Sequence, residues 1–119
     1  MQYVDGFVLV VPRRKLKDYK RLAQKAGKIW LEYGALEYRE CVGDDLKVPH
    51  GTPFPRMTKL KAGETVVFSW ITYKSKAQRD RVNKKVMSDP RLAKMMDPNA
   101  MPFDFKRMAY GGFKTLVSY

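Results

Sequence analysis

The sequence predicts an α+β domain: one four-stranded antiparallel sheet with two helices on one face. Three observations predict it. Glu64 to Tyr73, ETVVFSWITY, is the longest unbroken run of β-branched and aromatic residues and reads as a central strand. Three further stretches carry strand-like alternation, and two with helical spacing fall between strands. Both side-chain sets of the central strand are largely apolar, so both faces of the sheet need cover. Two helices from 119 residues cover one face; the other requires a partner or a ligand.

Tyr3 to Val11 forms the first strand. Tyr3, Asp5, Phe7, Leu9 and Val11 share one face, and Val4, Gly6, Val8 and Val10 share the other. The smaller second set suits packing under a helix, which leaves Asp5 and its aromatic neighbours on the bare face. Pro12 ends the strand, because it has no N–H for the ladder. From Arg13 to Tyr33 the spacing turns helical, with Leu16, Tyr19, Ala23, Ala26, Trp30 and Tyr33 on one stripe and Gly34 placed for the C-terminal cap. Gly27 inside this helix costs about 1 kcal/mol relative to alanine, and close approach to the sheet is the reason that would justify it.

Ala35 to Gly43 is the second strand. A loop from Asp44 to Gly63 follows, punctuated by Pro49, Gly51, Pro53, Pro55 and Gly63. A structureless loop of that length is unusual in a compact domain and points to a functional or interface role. Beyond the central strand, Ser75 caps a second helix running to about Met87. Asp89 caps a short turn from Pro90 to Met96 with proline at its first position. Lys106 to Val117 is the last strand, and Gly111 and Gly112 inside it signal a bulge or a close approach by another backbone or a ligand. The order of strands and helices is the ferredoxin-like βαββαβ arrangement, expected to span 1–119 as one domain. A homodimer that packs bare face on bare face, or curls two sheets into a shared barrel, would cover the exposed side.

The net charge of +12 raises the prior on anionic partners. Eight basic residues fall between Arg13 and Lys28 and six between Lys74 and Lys85, so both predicted helices are basic. No run approaches the ~18 apolar residues of a membrane helix. The start of the chain is apolar before it is basic, the reverse of an export signal. A single cysteine, Cys41, excludes an internal disulfide framework and makes a reducing cytoplasm the expected location.

Five blocks in order carry a resemblance: YVDGFV at 3–8, GALEYRECVGDD at 34–45, VFSWI at 67–71, VMSDPRLAKMMDP at 86–98 and MPFDFKRMAYGGF at 101–113. They closely resemble the YbaA-like family of small bacterial proteins, a domain of unknown function. The resemblance runs nearly end to end. It implies the dimeric α+β barrel superfamily, whose members include cofactor-free monooxygenases acting on quinol-like aromatics, haem-degrading enzymes and proteins that only bind ligands. It implies fold and dimer but no particular reaction.

The polar strand residues Asp5, Glu37, Arg39, Glu40, Cys41 and Tyr110 are the most informative set. If Asp5, Glu37 and Arg39 face the bare side, they are half-buried charges that must pair. An arginine between carboxylates can position a ligand or leave one carboxyl with a raised pKa for proton transfer; the same arrangement also serves as a structural ion-pair network at a dimer interface. Asp5, Glu37, Arg39 and Tyr110 are therefore the catalytic candidates, and Phe7, Arg39, Phe68, Trp70 and Tyr110 the ligand-binding ones. Tyr3 and Phe113 join the aromatics, which line a pocket for a planar ligand or make ordinary sheet and dimer core.

Cys41 has no helix terminus or histidine near it in sequence and reads as a small strand residue. His50, the only histidine, sits in the proline-rich loop and reads as solvated or structural. One histidine and one cysteine do not make a zinc site, Asp44 and Asp45 lack ordered ligand spacing for magnesium or calcium, and there is no glycine-rich phosphate loop. No metal and no cofactor is expected. Two functions remain, beside a structural partner protein with no ligand at all. The first is a homodimer binding a small aromatic or anionic molecule between sheet and helices, with a metal-free oxygenase or isomerase as its enzymatic form. The second is a non-enzymatic module holding nucleic acid or another polyanion on the basic helices.

Overall fold

The computed structural model describes residues 1–119. Strand β1 (Tyr3–Pro12) leads through a 3-10 turn at Arg13–Lys15 into helix α1 (Leu16–Glu32), then β2 (Glu37–Val42). A one-turn helix α2 (Phe54–Met57) interrupts the long loop before β3 (Glu64–Tyr73). Helix α3 (Lys76–Met87), the short α4 (Pro90–Met95), a 3-10 turn at Phe105–Arg107 and β4 (Ala109–Lys114) complete the chain. The sheet order is β2-β3-β1-β4, with every neighbouring pair antiparallel. This is the predicted ferredoxin-like sheet.

Local chemistry accounts for the boundaries. Ser75 Oγ accepts from the Gln78 amide at 3.1 Å and starts α3; Asp89 Oδ1 accepts from the Arg91 amide at 2.8 Å and starts α4. Gly34, at φ +116°, follows the last turn of α1, in a region that glycine enters without a Cβ penalty. The expected strand from Lys106 to Val117 is shorter. Asp104 caps a 3-10 turn over 105–107, and the only strand beside β4 is β1, which begins at Tyr3 opposite Lys114. The expected strand from Ala35 to Gly43 likewise loses its ends.

The faces of the sheet are the main correction. Helices α1 and α3 cover the Tyr3, Asp5, Phe7, Leu9, Val11 side of β1, and the Val4, Gly6, Val8, Val10 set lies on the other. Leu9, Val11 and Val67 pack with Tyr19 and Ala23 of α1; Ile71 and Tyr73 pack with Ile29 of α1 and with Val82 and Val86 of α3. The longer side chains reach across to the helices, and Asp5 finds its counter-ion inside, on α3. In the smaller set, Gly6 lies against the Phe113 ring, which a Cβ there would meet at 3.4 Å. At Gly112 a close approach comes from a side chain, because a Cβ there would overlap the Tyr3 ring.

The loop 44–63 folds over one end of the second face. Phe54 of α2 meets Phe68 edge-on at 6.3 Å, Leu46 abuts Gly43, and Val10 and Val66 at that end are buried. The other end stays open as a groove lined by Val4, Gly6, Phe68, Trp70, Thr72 and Phe113. No helix is long and apolar enough to cross a membrane.

Candidate active site between sheet and helices

The helices do not close down on the whole sheet. They leave a cavity of about 550 Å³, within the usual ~300–1,000 Å³ range of small-molecule sites. Its walls are mainly apolar: Phe7, Leu9, Ala26, Trp30, Ile71 and Phe103 among others. Met87, Met96, Phe105 and Tyr110, also on the lining, are exposed and mark its mouth. Phe7 and Tyr110 stack at 5.9 Å on the β1–β4 side.

The segment from Met101 to Met108 forms one wall and is tied down by Arg107. Its guanidinium donates to both Glu64 oxygens at 2.8 and 2.6 Å, to Asp104 at 2.9 Å and to the Lys59 carbonyl at 3.2 Å. The paired cation holds the Glu64 carboxyl down to about 2. A second clasp joins α4 to α1, where Arg91 bonds Glu32 and Asp89, and Asp89 also accepts from the Tyr33 hydroxyl at 2.7 Å.

Two polar clusters break the apolar lining. At the first, Glu40 of β2 accepts from the Tyr19 hydroxyl of α1 at 2.6 Å and from the Tyr38 hydroxyl at 2.8 Å. Ser69 lies across from Glu40 in the ladder. Burial pushes the Glu40 carboxyl above its ordinary value, while the hydroxyls of Tyr19, Tyr38 and Ser69 pull it back toward the charged form. Burial and the neighbouring carboxylate push both phenols well above theirs. Gly27 explains how Tyr38 gets there. A Cβ at Gly27 would stand 2.9 Å from its ring, so the helix glycine is the space that the ring occupies.

At the second cluster, Asp5 is 5% exposed and pairs with Arg79 Nη1 of α3 at 2.9 Å. Arg79 also bonds Asp80 and lies over the Tyr3 ring, 4.9 Å from its centre. Asn83 accepts from Trp30 Nε1 and the Tyr73 hydroxyl, each at 3.1 Å, and turns its amide N–H toward Asp5 at 3.5 Å. Burial raises the Asp5 carboxyl, and Arg79 opposes that rise.

The structure separates the residues singled out from sequence. Asp5, Phe7 and Tyr110 line the cavity; Phe68, Trp70 and Glu37 lie on the opposite face. Arg39 borders the cavity through its place in β2, but its side chain is exposed and pairs with Glu37 at 3.4 Å, and Glu37 accepts from Trp70 Nε1 at 2.7 Å. The grouping of Asp5, Glu37 and Arg39 on one bare face is thus corrected. Alternation puts Asp5, Ile71 and Tyr38 in one row across the sheet and Arg39 and Trp70 in the next, facing the other way. Cys41 is exposed on that second face. Glu40 belongs to the polar strand set but lies outside the catalytic candidates that the sequence yields, and Tyr19, Tyr38, Arg79 and Asn83 lie outside its site residues. A signal for the last two exists: Arg79 and Asn83 stand four apart on α3, beside Val82 and Val86, so they are polar residues on its buried stripe.

Comparison with known proteins agrees with this architecture. "Uncharacterized protein YbaA" of Escherichia coli K12 is 46% identical over 117 residues, covering 98% of each chain. Among solved structures, SnoaB of Streptomyces nogalater, described as a cofactor-independent oxygenase, matches at a TM-score of 0.57 and 9% identity, covering 98% of this chain and 95% of that one. A protein described as dimeric and ferredoxin-like, from an uncultured marine organism, matches at 0.59 and 8% identity over 100% of both chains. At such identities the structures speak for the fold alone. Residues 2–105 match the family described as protein of unknown function (DUF1428), and the chain belongs to that family together with YbaA.

Proposed function

We propose that the cavity between sheet and helices binds a small, planar, hydroxyl-bearing aromatic molecule, and that Glu40 takes up its proton. The observation that carries this reading is a carboxylate, raised by burial and held by two tyrosine hydroxyls, on the wall of a mainly apolar cavity. A base of that kind removes a weakly acidic proton while the apolar walls keep the conjugate anion away from water. Proton removal from the ring system is the step that a metal-free oxygenase or isomerase requires of its protein. The fold shared with a protein described as a cofactor-independent oxygenase supports this class.

The working unit in this reading is a homodimer. Phe68 and Phe113 are 46% and 62% exposed beside Trp70 in the groove of the second face, and a second copy of the chain would cover them. The relative described as dimeric supports that occupant. The test is titration with 2-naphthol, followed by tryptophan fluorescence, at neutral pH. Binding that is lost in Ala26→Trp, which fills the cavity, and weakened in Glu40→Gln supports the reading. Binding unchanged in both variants would refute it.

A second reading rests on the outer surface of α1, where Lys17, Lys20, Arg21, Lys25 and Lys28 are all exposed, and only Arg21 has an acidic partner, Asp18. A polyanion held there would bind with an affinity falling steeply with salt.

A further inference from the structure

The two polar clusters on the cavity wall have opposite hydrogen-bonding character. Around Glu40 the protons are spent. Tyr19 and Tyr38 both donate to its carboxylate, which leaves carboxylate and phenol lone pairs to face the cavity. That end accepts hydrogen bonds and therefore takes a donor from a ligand. Around Asn83 the situation is reversed. Its carbonyl is occupied by Trp30 and Tyr73, which fixes the amide's orientation, and its N–H groups have only the 3.5 Å contact with Asp5. Arg79 spends one Nη1 hydrogen on Asp5 and Nε on Asp80, while Nη2 has only Tyr3, at 3.4 Å. That end has donors to spare.

The ladder sets the distance between them. Asp5 pairs with Ile71 and Ile71 with Tyr38, whereas Glu40 pairs with Ser69 and Ser69 with Phe7. The strand members of the two clusters, Asp5 and Glu40, are thus two strands apart across the sheet and two residues apart along it, roughly 12 Å at their Cα atoms, and Arg79 and Asn83 reach Asp5 from α3. A two-ring aromatic skeleton with polar substituents at opposite ends fits that span.

Resting on the reading of the cavity above, we infer that its ligand is a two-ring aromatic carrying a hydroxyl at one end and a neutral carbonyl oxygen at the other. The hydroxyl donates to Glu40, and the carbonyl accepts from Asn83 and Arg79. A carboxylate suits the second end less well. Asp5, 5% exposed, already neutralises Arg79, and a second carboxylate would be placed against it.

Four probes separate the possibilities: 2-naphthol, 2-acetylnaphthalene, 6-acetyl-2-naphthol and 6-hydroxy-2-naphthoate, each titrated calorimetrically into the full chain at neutral pH. The inference expects 6-acetyl-2-naphthol to bind about tenfold more tightly than 2-naphthol, the worth of one good added hydrogen bond. Asn83→Leu should abolish that tenfold gain, so that 6-acetyl-2-naphthol and 2-naphthol bind this variant equally. Arg79→Lys, which keeps the charge opposite Asp5, should reduce it. The 2-naphthol affinity doubles as a check that each variant still has its cavity, and Arg79→Lys serves if Asn83→Leu does not fold. Equal affinities for the first and third probes would overturn the inference and leave the proposed function standing. Tightest binding of the naphthoate would overturn the neutral acceptor. Failure of all four probes to bind would remove the proposed function as well.

Discussion

Replacing Gly27 by alanine tests whether Tyr38 is a fixed part of the cavity wall. In an ordinary helix interior this change stabilises by about 1 kcal/mol, because glycine gives up more backbone freedom on folding. Here the new Cβ would stand 2.9, 3.1 and 3.3 Å from three ring atoms of Tyr38. The ring cannot swing away freely. Its hydroxyl is bonded to Glu40 at 2.8 Å and its face is tilted against Trp30 at 6.1 Å. Overpacking of this kind costs about 1–3 kcal/mol. If the ring retreats, weakening a hydrogen bond to a charged group adds part of a further ~1.5–3 kcal/mol. The losses exceed the gain, so Gly27→Ala should destabilise by about 1–3 kcal/mol. In a Tyr38→Ala background the obstacle is gone, and the same change should stabilise by about 1 kcal/mol. Urea unfolding of the four proteins of this cycle, at one pH and one protein concentration, gives both numbers and the coupling between them. A single variant more stable than the parent by the full helix increment would refute the reasoning, since Tyr38 would then not be held where the Glu40 cluster needs it.

Other predictions concern charge and assembly. Glu40→Gln removes a carboxyl whose folded pKa is raised by burial. Such a group contributes stability that is present below its unfolded pKa and lost as pH rises through the folded value. The variant should therefore gain on the parent from about pH 4 up to the raised folded value and keep that gain above it in thermal melts, and a difference constant across the whole range would contradict the assignment. Glu64 has the opposite sign. Held down to about 2 by Arg107, it contributes stability above its ordinary value of 4.5 that is lost as pH falls through about 2. Glu64→Gln should be less stable than the parent at neutral pH, with the gap closing in that acid window. Phe113→Asp places a charge on the groove of the second face and should turn a sedimenting dimer into a folded monomer; a dimer that survives would move the interface elsewhere.

Much of the fold was legible because local chemistry marked it. The run of β-branched and aromatic residues fixed β3, Ser75 and Asp89 marked two helix starts through their caps, and Gly34 marked the end of α1. Period-two alternation also sorted the residues of β1 into the correct two sets. It could not say which set faced the helices, because that depends on partners far away in the chain. Asp5 reads from sequence as an awkward charge for the bare face, but its counter-ion Arg79 lies 74 residues further on. The site was harder still. Glu40 acquires its role from Tyr19, 21 residues earlier on another element, and Tyr19 on its own reads as one more apolar-stripe residue. Gly27 was the exception. Its cost inside a helix demanded a close neighbour, and Tyr38 is that neighbour.

The most direct test of the account maps where a planar hydroxyaromatic binds. Tyrosine and phenylalanine rings carry ¹³C labels, and 2-naphthol is titrated in while their resonances are followed by NMR. A ligand in the cavity should shift Tyr19, Tyr38, Phe7 and Phe103, with Tyr19 and Tyr38 responding far less in Glu40→Gln. Shifts confined to Phe68 and Phe113 would contradict it. The ligand would then sit on the second face, and the cavity between sheet and helices would not be the site.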